Sequence, residues 1–346
     1  MKGFASDNYA GVLPEIMEAL QAANSDHAIS YGKDKISERV THLMKSIFGE
    51  QASVFFVFNG TGANILSLSG LAGHTHSILC ADCSHLYNDE SSAPEAFTRS
   101  RLIPVTTDHN GKLTVEALRE KIIRIGDIHF PQPRVISITQ ATEYGTVYTP
   151  AEIKAIQQLA QEHNLYLHMD GSRLWNAAAY LDCDLNVLTR EAGVDVLSLG
   201  GTKLGMMFGD AVVVWNPSLI PAYHYLQKQT LQLASKTRFI AAQFEALLQD
   251  GLWKKTASHA NRMATLLALE LSEIPQIQLT KPTQANAVFA CMPPDWIPIL
   301  QKEFPFYIWN EATNEVRLMC AFDTHTEEVK SFVSKIRELA VSASTA

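Results

Sequence analysis

Apolar positions along the first two thirds of the chain alternate between two spacings. Ile36, Val40, Leu43, Met44 and Ile47 recur at helical spacing and Gly49 closes the run, which predicts a helix over 36–48. Ser53–Phe58 is a short, unbroken β-branched and aromatic run, the pattern of a strand buried on both faces. Asn59-Gly60-Thr61-Gly62 follows, then a helical stretch to Leu71. Ser77–Cys80, Arg134–Thr139, Leu165–Met169, Val194–Leu199 and Ala211–Trp215 read as further strands. Pro150 opens a helix running through Ala160, because a proline fits the first turn. Strands alternating with helices over about 35–215 predict a mostly parallel sheet covered on both faces. Ligands on such sheets sit beyond the carboxyl ends of the strands.

From about residue 225 the spacing changes. Residues 225–272 read as long helices without strands. Short strands follow at Ala287–Met292, Phe306–Trp309 and Val316–Cys320, with helices around 295–303 and 326–340. The expected architecture is therefore a large α/β domain over 15–240. A smaller α+β domain is expected from 1–14 and 241–346.

Composition narrows the function. The formal charge is −8, from 28 Lys and Arg against 36 Asp and Glu, and no basic stripe for nucleic acid is visible. No apolar run approaches the roughly 20 residues that span a bilayer. Met1-Lys2-Gly3-Phe4-Ala5-Ser6-Asp7 lacks a signal-peptide core, so a cytoplasmic location is expected. Five cysteines, an odd number without secretion signals, favour free thiols. His74, His76, Cys80 and Cys83 have a spacing open to zinc, but a cysteine inside an apolar strand acts as a small hydrophobe, and no metal is expected.

Four polar features follow strands. Lys203 lies in Gly200-Gly201-Thr202-Lys203-Leu204-Gly205. Desolvation there would lower its pKa and make a nucleophilic amine suited to a Schiff base, although a surface lysine in a glycine-rich turn has the same pattern. Asp170 could hold a pyridinium nitrogen protonated, or merely cap a helix. Gly60 and Thr61 could offer a phosphate the start of a helix, or be an ordinary turn. His85 could stack on a planar ring or move protons, or be a loop histidine. In that order they suit one pocket. The dinucleotide fingerprint is missing, which argues against a nicotinamide enzyme.

At this point the chain resembles the L-threonine aldolases, fold-type I pyridoxal-phosphate (PLP) enzymes of the β-eliminating lyase superfamily. The most specific match is Leu167-His168-Met169-Asp170-Gly171-Ser172-Arg173-Leu174-Trp175-Asn176-Ala177. Gly60-Thr61-Gly62-Ala63-Asn64 is similar to the family's phosphate loop, and Gly201-Thr202-Lys203-Leu204-Gly205 to its lysine motif. Ser6-Asp7 with Pro14 and Met17, Asp127–Phe130 and Glu143–Val147 also fit.

The resemblance implies an aspartate-aminotransferase-like fold with a seven-stranded sheet. It implies that Lys203 holds PLP as a Schiff base, that Asp170 pairs with the pyridinium, that His85 stacks on the ring, and that Gly60 and Thr61 hold the phosphate. Ser6, Arg173 and Arg317 would bind the substrate carboxylate, a task suited to the guanidinium fork. His129 would lie near the substrate hydroxyl, and Arg238 would reach the phosphate of a neighbouring subunit. The base taking the hydroxyl proton is left open between His85, His129 and water. The lysine motif departs from the S-K-G-L-G form and is closer to a branch acting on broad or aromatic β-hydroxy amino acids. The implied reaction is retro-aldol cleavage to glycine and an aldehyde by a homotetramer built as a dimer of dimers. The alternative is a PLP-dependent β-elimination.

Overall fold

The computed structural model describes residues 3–344. Met1, Lys2, Thr345 and Ala346, the outer ends of the expected small domain and the start of the segment read for a signal, lie outside the described residues.

Seven strands form the large sheet: β1 (Ser53–Val57), β2 (His76–Ala81), β3 (Arg101–Val105), β4 (Gln132–Thr139), β5 (Tyr166–Gly171), β6 (Val196–Leu199) and β7 (Asp210–Val214). Their order is β1-β7-β6-β5-β4-β2-β3. From β6 to β3 every pairing is parallel, and β7 alone runs antiparallel to both neighbours, β1 and β6. The unbroken apolar runs follow from covering both faces. Val212 and Val214 of β7 pack with Phe55, Val57, Ala63 and Leu66 on the side of helix Gly60–Ser69. Ala211 and Val213 face the opposite way and join Ile138, Met169 and Leu197. That second face is closed by helices Lys35–Phe48, Pro150–Glu162 and Leu174–Leu181. The helix at Pro150 starts in a capping box in which Thr149 and Glu152 satisfy each other's backbone amides.

β3 did not stand out in the apolar pattern because Pro104 interrupts it. A proline has no N–H to give a ladder and is tolerated on an edge, which is where β3 lies.

The second sheet is antiparallel: β8 (Gln278–Leu279), β9 (Ala287–Cys291), β10 (Tyr307–Asn310) and β11 (Glu315–Met319), ordered β10-β11-β9-β8. Its core joins Val288, Ala290, Val316 and Leu318 to Leu267 and Leu271 of helix Leu252–Ser272 and to Phe332 and Ile336 of helix Thr326–Ser344. Phe4 enters the same core, with its ring centroid 4.9 Å from that of Phe332. The boundary expected at 240/241 cuts helix Arg238–Leu248, whose Ile240, Phe244 and Leu247 belong to the large core. The core changes along helix Leu252–Ser272, with Ala257 in the first cluster and Ala264 in the second. Among the described residues no helix is long and apolar enough to cross a membrane.

Candidate active site

The carboxyl ends of β4, β5 and β6 converge on Lys203. Gly200 allows this approach: a Cβ on it would stand 2.7 Å from the Ser172 backbone. Gly205, at φ +103°, then turns the chain in a conformation that L side chains rarely adopt. Asp210, at the start of β7, holds the lysine loop by accepting the amides of Gly201 at 2.6 Å and Thr202 at 3.3 Å.

Lys203 is half-buried at the pocket floor. Burial lowers its amine pKa and the nearby Arg173 charge adds to the effect, against the pull of Asp7, Asp170 and Asp210. Asp170 is buried, and burial alone would raise its carboxyl. Lys203, the Asn64 side chain (2.9 Å to Oδ2) and the Ser172 amide (2.9 Å to Oδ1) outweigh burial and hold its pKa below the ordinary value. Behind Asp170, His168 sits between Ser137 at 2.9 Å and Ser198 at 3.0 Å. Burial holds its imidazole down to about 4, so it is neutral there. His85 begins the short helix His85–Asn88, and its ring faces the same floor.

Helix Gly60–Ser69 points its first turn at this floor. Asn59 Oδ1 accepts the Gly62 amide at 2.7 Å and the Asn59 carbonyl accepts that of Ala63 at 2.9 Å. Among the described residues the amides of Gly60 and Thr61 have no partner, and they join the Thr61 hydroxyl as donors to an anion.

Above the floor a cleft of ≈ 400 Å³ is lined by Ser6, His85, Arg173, Lys203, Tyr307, Trp309 and Arg317, among others. Arg317 sits on β11 opposite Tyr307, its guanidinium 5.4 Å from the Tyr307 ring centroid and 5.1 Å from that of Trp309. Its Nη2 donates to the Ala5 carbonyl at 3.4 Å, while Nε is buried without a partner. Arg173 also lines the cleft, but its Nε and Nη2 donate to the two Asp7 oxygens at 2.7 and 2.8 Å. Only its Nη1 side is left for a ligand. Ser6 caps the turn Asp7–Tyr9 and accepts the Asn8 amide. A larger groove of ≈ 880 Å³, lined by Met17, Phe58, Met207 and Phe208, contains none of these polar groups. The chemistry belongs to the smaller cleft, because Lys203, His85 and the two arginines line it.

Two expected residues are not in this cleft. His129 is exposed and precedes β4, whose opposite end at Thr139 lines the cleft. A strand of this length separates the two by roughly 25 Å at about 3.3 Å per residue. In its own protomer His129 therefore stands outside this cleft. Arg238 is half-buried beside the Asp26 carbonyl, which its Nη1 meets at 3.3 Å, away from the Gly60 turn of its own chain. His74, His76, Cys80 and Cys83 do not converge either. Burial in β2 pushes the Cys80 thiol up to about 12, and the His76 ring accepts the Gly73 amide. Among the described residues no three His, Cys, Asp or Glu side chains gather to hold a metal, and all five cysteines are free.

Several site residues were given no role from the sequence. Asp7 and Asn64 stood inside quoted motifs with no task attached. Glu90, Asp210 and Tyr307 carry no motif, and only the pairing of β10 with β11 brings Tyr307 to Arg317.

A sheet with an amine and a carboxylate at its carboxyl edge defines the class, and the comparisons agree. The chain belongs to the beta-eliminating lyase family, whose profile matches residues 3–293. Enzymes of this family use PLP. Within it the chain is 42% identical to the low specificity L-threonine aldolase of Pseudomonas sp. (strain NCIMB 10558), over 96% of both chains. It is 29% identical to the low specificity L-threonine aldolase of Saccharomyces cerevisiae, over 82% of this chain and 72% of the yeast protein. The solved structure of Leishmania major threonine aldolase superposes with a TM-score of 0.92 at 28% identity, covering 98% of this chain and all of that one.

Proposed function

We propose that this protein cleaves the Cα–Cβ bond of L-threonine, L-allo-threonine or related L-β-hydroxy-α-amino acids, L-phenylserine included, to glycine and an aldehyde. The observation that carries this is the meeting of Lys203, with its amine pKa lowered, and Asp170, with its carboxyl pKa lowered, on one floor beneath the Arg317 guanidinium. PLP fits these residues: two unpaired amides and a hydroxyl for its phosphate, a carboxylate for its ring nitrogen, an imidazole beside the ring and an amine for its aldehyde. When bound, PLP supplies an electron-accepting ring for the bond being broken.

The protein's own groups do the rest. Asp170, kept ionised, holds a proton on the ring nitrogen. Arg317, the Nη1 side of Arg173 and Ser6 orient the substrate carboxylate, with Arg317 taking the leading part because Asp7 engages the other fork. His85 accepts the β-hydroxyl proton, since its ring faces the cleft. The aromatic wall of Tyr307 and Trp309 suits a broad range of β-substituents.

His129 and Arg238 join this reading only as groups donated by a neighbouring copy in a dimer of dimers. The exposed apolar groove around Met17, Phe58, Met207 and Phe208 favours such assembly. Free cysteines throughout agree with a cytoplasmic location.

The test is product analysis with L-threonine, L-allo-threonine and L-phenylserine on PLP-loaded protein. Equal amounts of glycine and the matching aldehyde are expected. Ammonia and a keto acid would move the reaction to β-elimination, the second reading, which the family description favours.

A further inference from the structure

His85 is held by an acid that the proposed reaction does not use. Glu90 lies five residues on, with its side chain fully buried against 45% exposure for that of His85. Its Oε1 receives the His85 Nδ1 at 2.9 Å and the Asn64 Nδ2 at 2.8 Å. The same Asn64 nitrogen donates to Asp170 Oδ2 at 2.9 Å. Asn64 thus faces two carboxylate oxygens, and only its NH2 can serve both. This fixes the amide and leaves Glu90 Oε1 as an acceptor. Glu90 Oε2 is buried without a partner, so the hold on His85 passes through one oxygen.

We propose that Glu90 is a positioning residue that fixes the tautomer and orientation of His85, so that Nε2 is the bare nitrogen presented to the substrate. A carboxylate oxygen accepts, so Nδ1 must carry the hydrogen, and a neutral ring then has its lone pair on Nε2. Among the described residues Nε2 has no partner. Asn64 extends the line to Asp170, tying the base to the group that holds the ring nitrogen. The titratable and charged groups around His85 are Glu90 and Asp89 on its own segment, Glu143 after β4, which accepts the His85 backbone amide at 2.8 Å, Asp170 on β5, Lys203 after β6, and Arg173, Arg317 and Tyr307 in the same cleft. The hydrogen bond to Glu90 is the largest influence raising the His85 pKa; burial and Lys203 lower it, and Asp170 raises it.

This inference rests on the aldol-cleavage reading with His85 as base. The test uses E90Q, E90L and H85N, alone and combined. In E90Q the amide oxygen stays toward Asn64 and His85, because turning it would set NH2 against NH2. The tautomer survives and the negative charge is lost. The acid limb of kcat/KM should then move down by about one pH unit, with kcat falling only a few-fold. E90L removes the acceptor and should lower kcat by about tenfold or more at near-constant KM. H85N/E90L should be no slower than H85N, because the two residues act as one unit.

A readout independent of turnover is the pH dependence of His85 carbethoxylation by diethyl pyrocarbonate in unloaded protein, followed by peptide mass. Its midpoint should move down in E90Q with the kinetic limb. An unmoved limb and midpoint in E90Q, or a further multiplicative loss from E90L in the H85N background, would overturn the role of Glu90. Wild-type protein that makes no glycine would overturn the aldolase reading instead, and the carbethoxylation midpoint would still judge the pairing.

Discussion

The floor and the rim of the cleft are built differently. The floor comes from one domain, with Asp170, Lys203, His85 and the Gly60 turn all at strand ends of the seven-stranded sheet. The groups behind it are held by hydrogen bonds, His168 by two serines and Asp170 by Asn64 and the Ser172 amide. The rim is assembled from distant parts of the chain. Arg317 of the small sheet reaches Ala5 across 312 positions, and Tyr307 meets Tyr9 through their hydroxyls at 2.9 Å. Tyr9 is 67% exposed and Tyr307 44%, while Asp170 is 6% exposed. The floor is pre-organised for a fixed chemistry, where electrostatic contributions are strongest. The rim touches only what enters, so it governs which amino acid is accepted.

This comparison predicts different failures. Asp170→Ala should cut kcat by roughly 10²-fold or more and weaken PLP retention, because a charge acting on the reaction centre is lost. Near-normal turnover would sink the assignment of Asp170. Arg317→Ala should act mainly on KM, raising it by about 10- to 100-fold for the loss of roughly 1.5–3 kcal/mol of charge-assisted hydrogen bonding. Arg317→Lys should recover only part of this, since an ammonium lacks the fork. A kcat effect larger than the KM effect would erase the distinction between floor and rim.

Asp7→Asn probes the joint between the two regions through stability. The pair with Arg173 is nearly buried, at 2% and 13% side-chain exposure. Burial would raise the Asp7 carboxyl, but Arg173, Lys203 and Asn286 hold its pKa below the ordinary 3.8. A depressed carboxyl contributes stability that is whole above the unfolded pKa and fades as pH falls through the folded one. Asp7→Asn should therefore cost about 3 kcal/mol near neutrality and flatten the acid side of the stability–pH curve. Equal acid sensitivity of the two proteins in thermal melts would show that Asp7 carries none of it.

The same contrast explains what the sequence made legible. Strand runs such as SVFFVF and AVVVW are apolar because both faces are covered, so the sheet could be read directly. The antiparallel direction of β7 could not, because a run of valines has no polarity. Lys203 and Asp170 were readable because each stands at the carboxyl end of an apolar strand run, Asp170 near the end of β5 and Lys203 just after β6. The place of His129 could not be read from its residues: its role came from the resemblance alone, and the motif does not say that it precedes β4, at the far end of that strand from the cleft. Glu90 and Tyr307 needed tertiary contacts: Glu90 is tied to the floor by the Asn64 amide, 26 positions away, and Tyr307 meets Arg317 through a strand pairing.

The central claim is that Lys203 holds PLP in an enzyme that releases glycine. Its most direct test is borohydride reduction of the PLP-loaded protein, followed by peptide mass, beside a glycine assay with L-threonine on the unreduced sample. The account predicts a pyridoxyl group on the peptide containing Lys203, loss of activity on reduction, and glycine from the unreduced sample. A pyridoxyl group on another lysine, or glycine formed undiminished by the reduced protein or by Lys203→Ala, would contradict it.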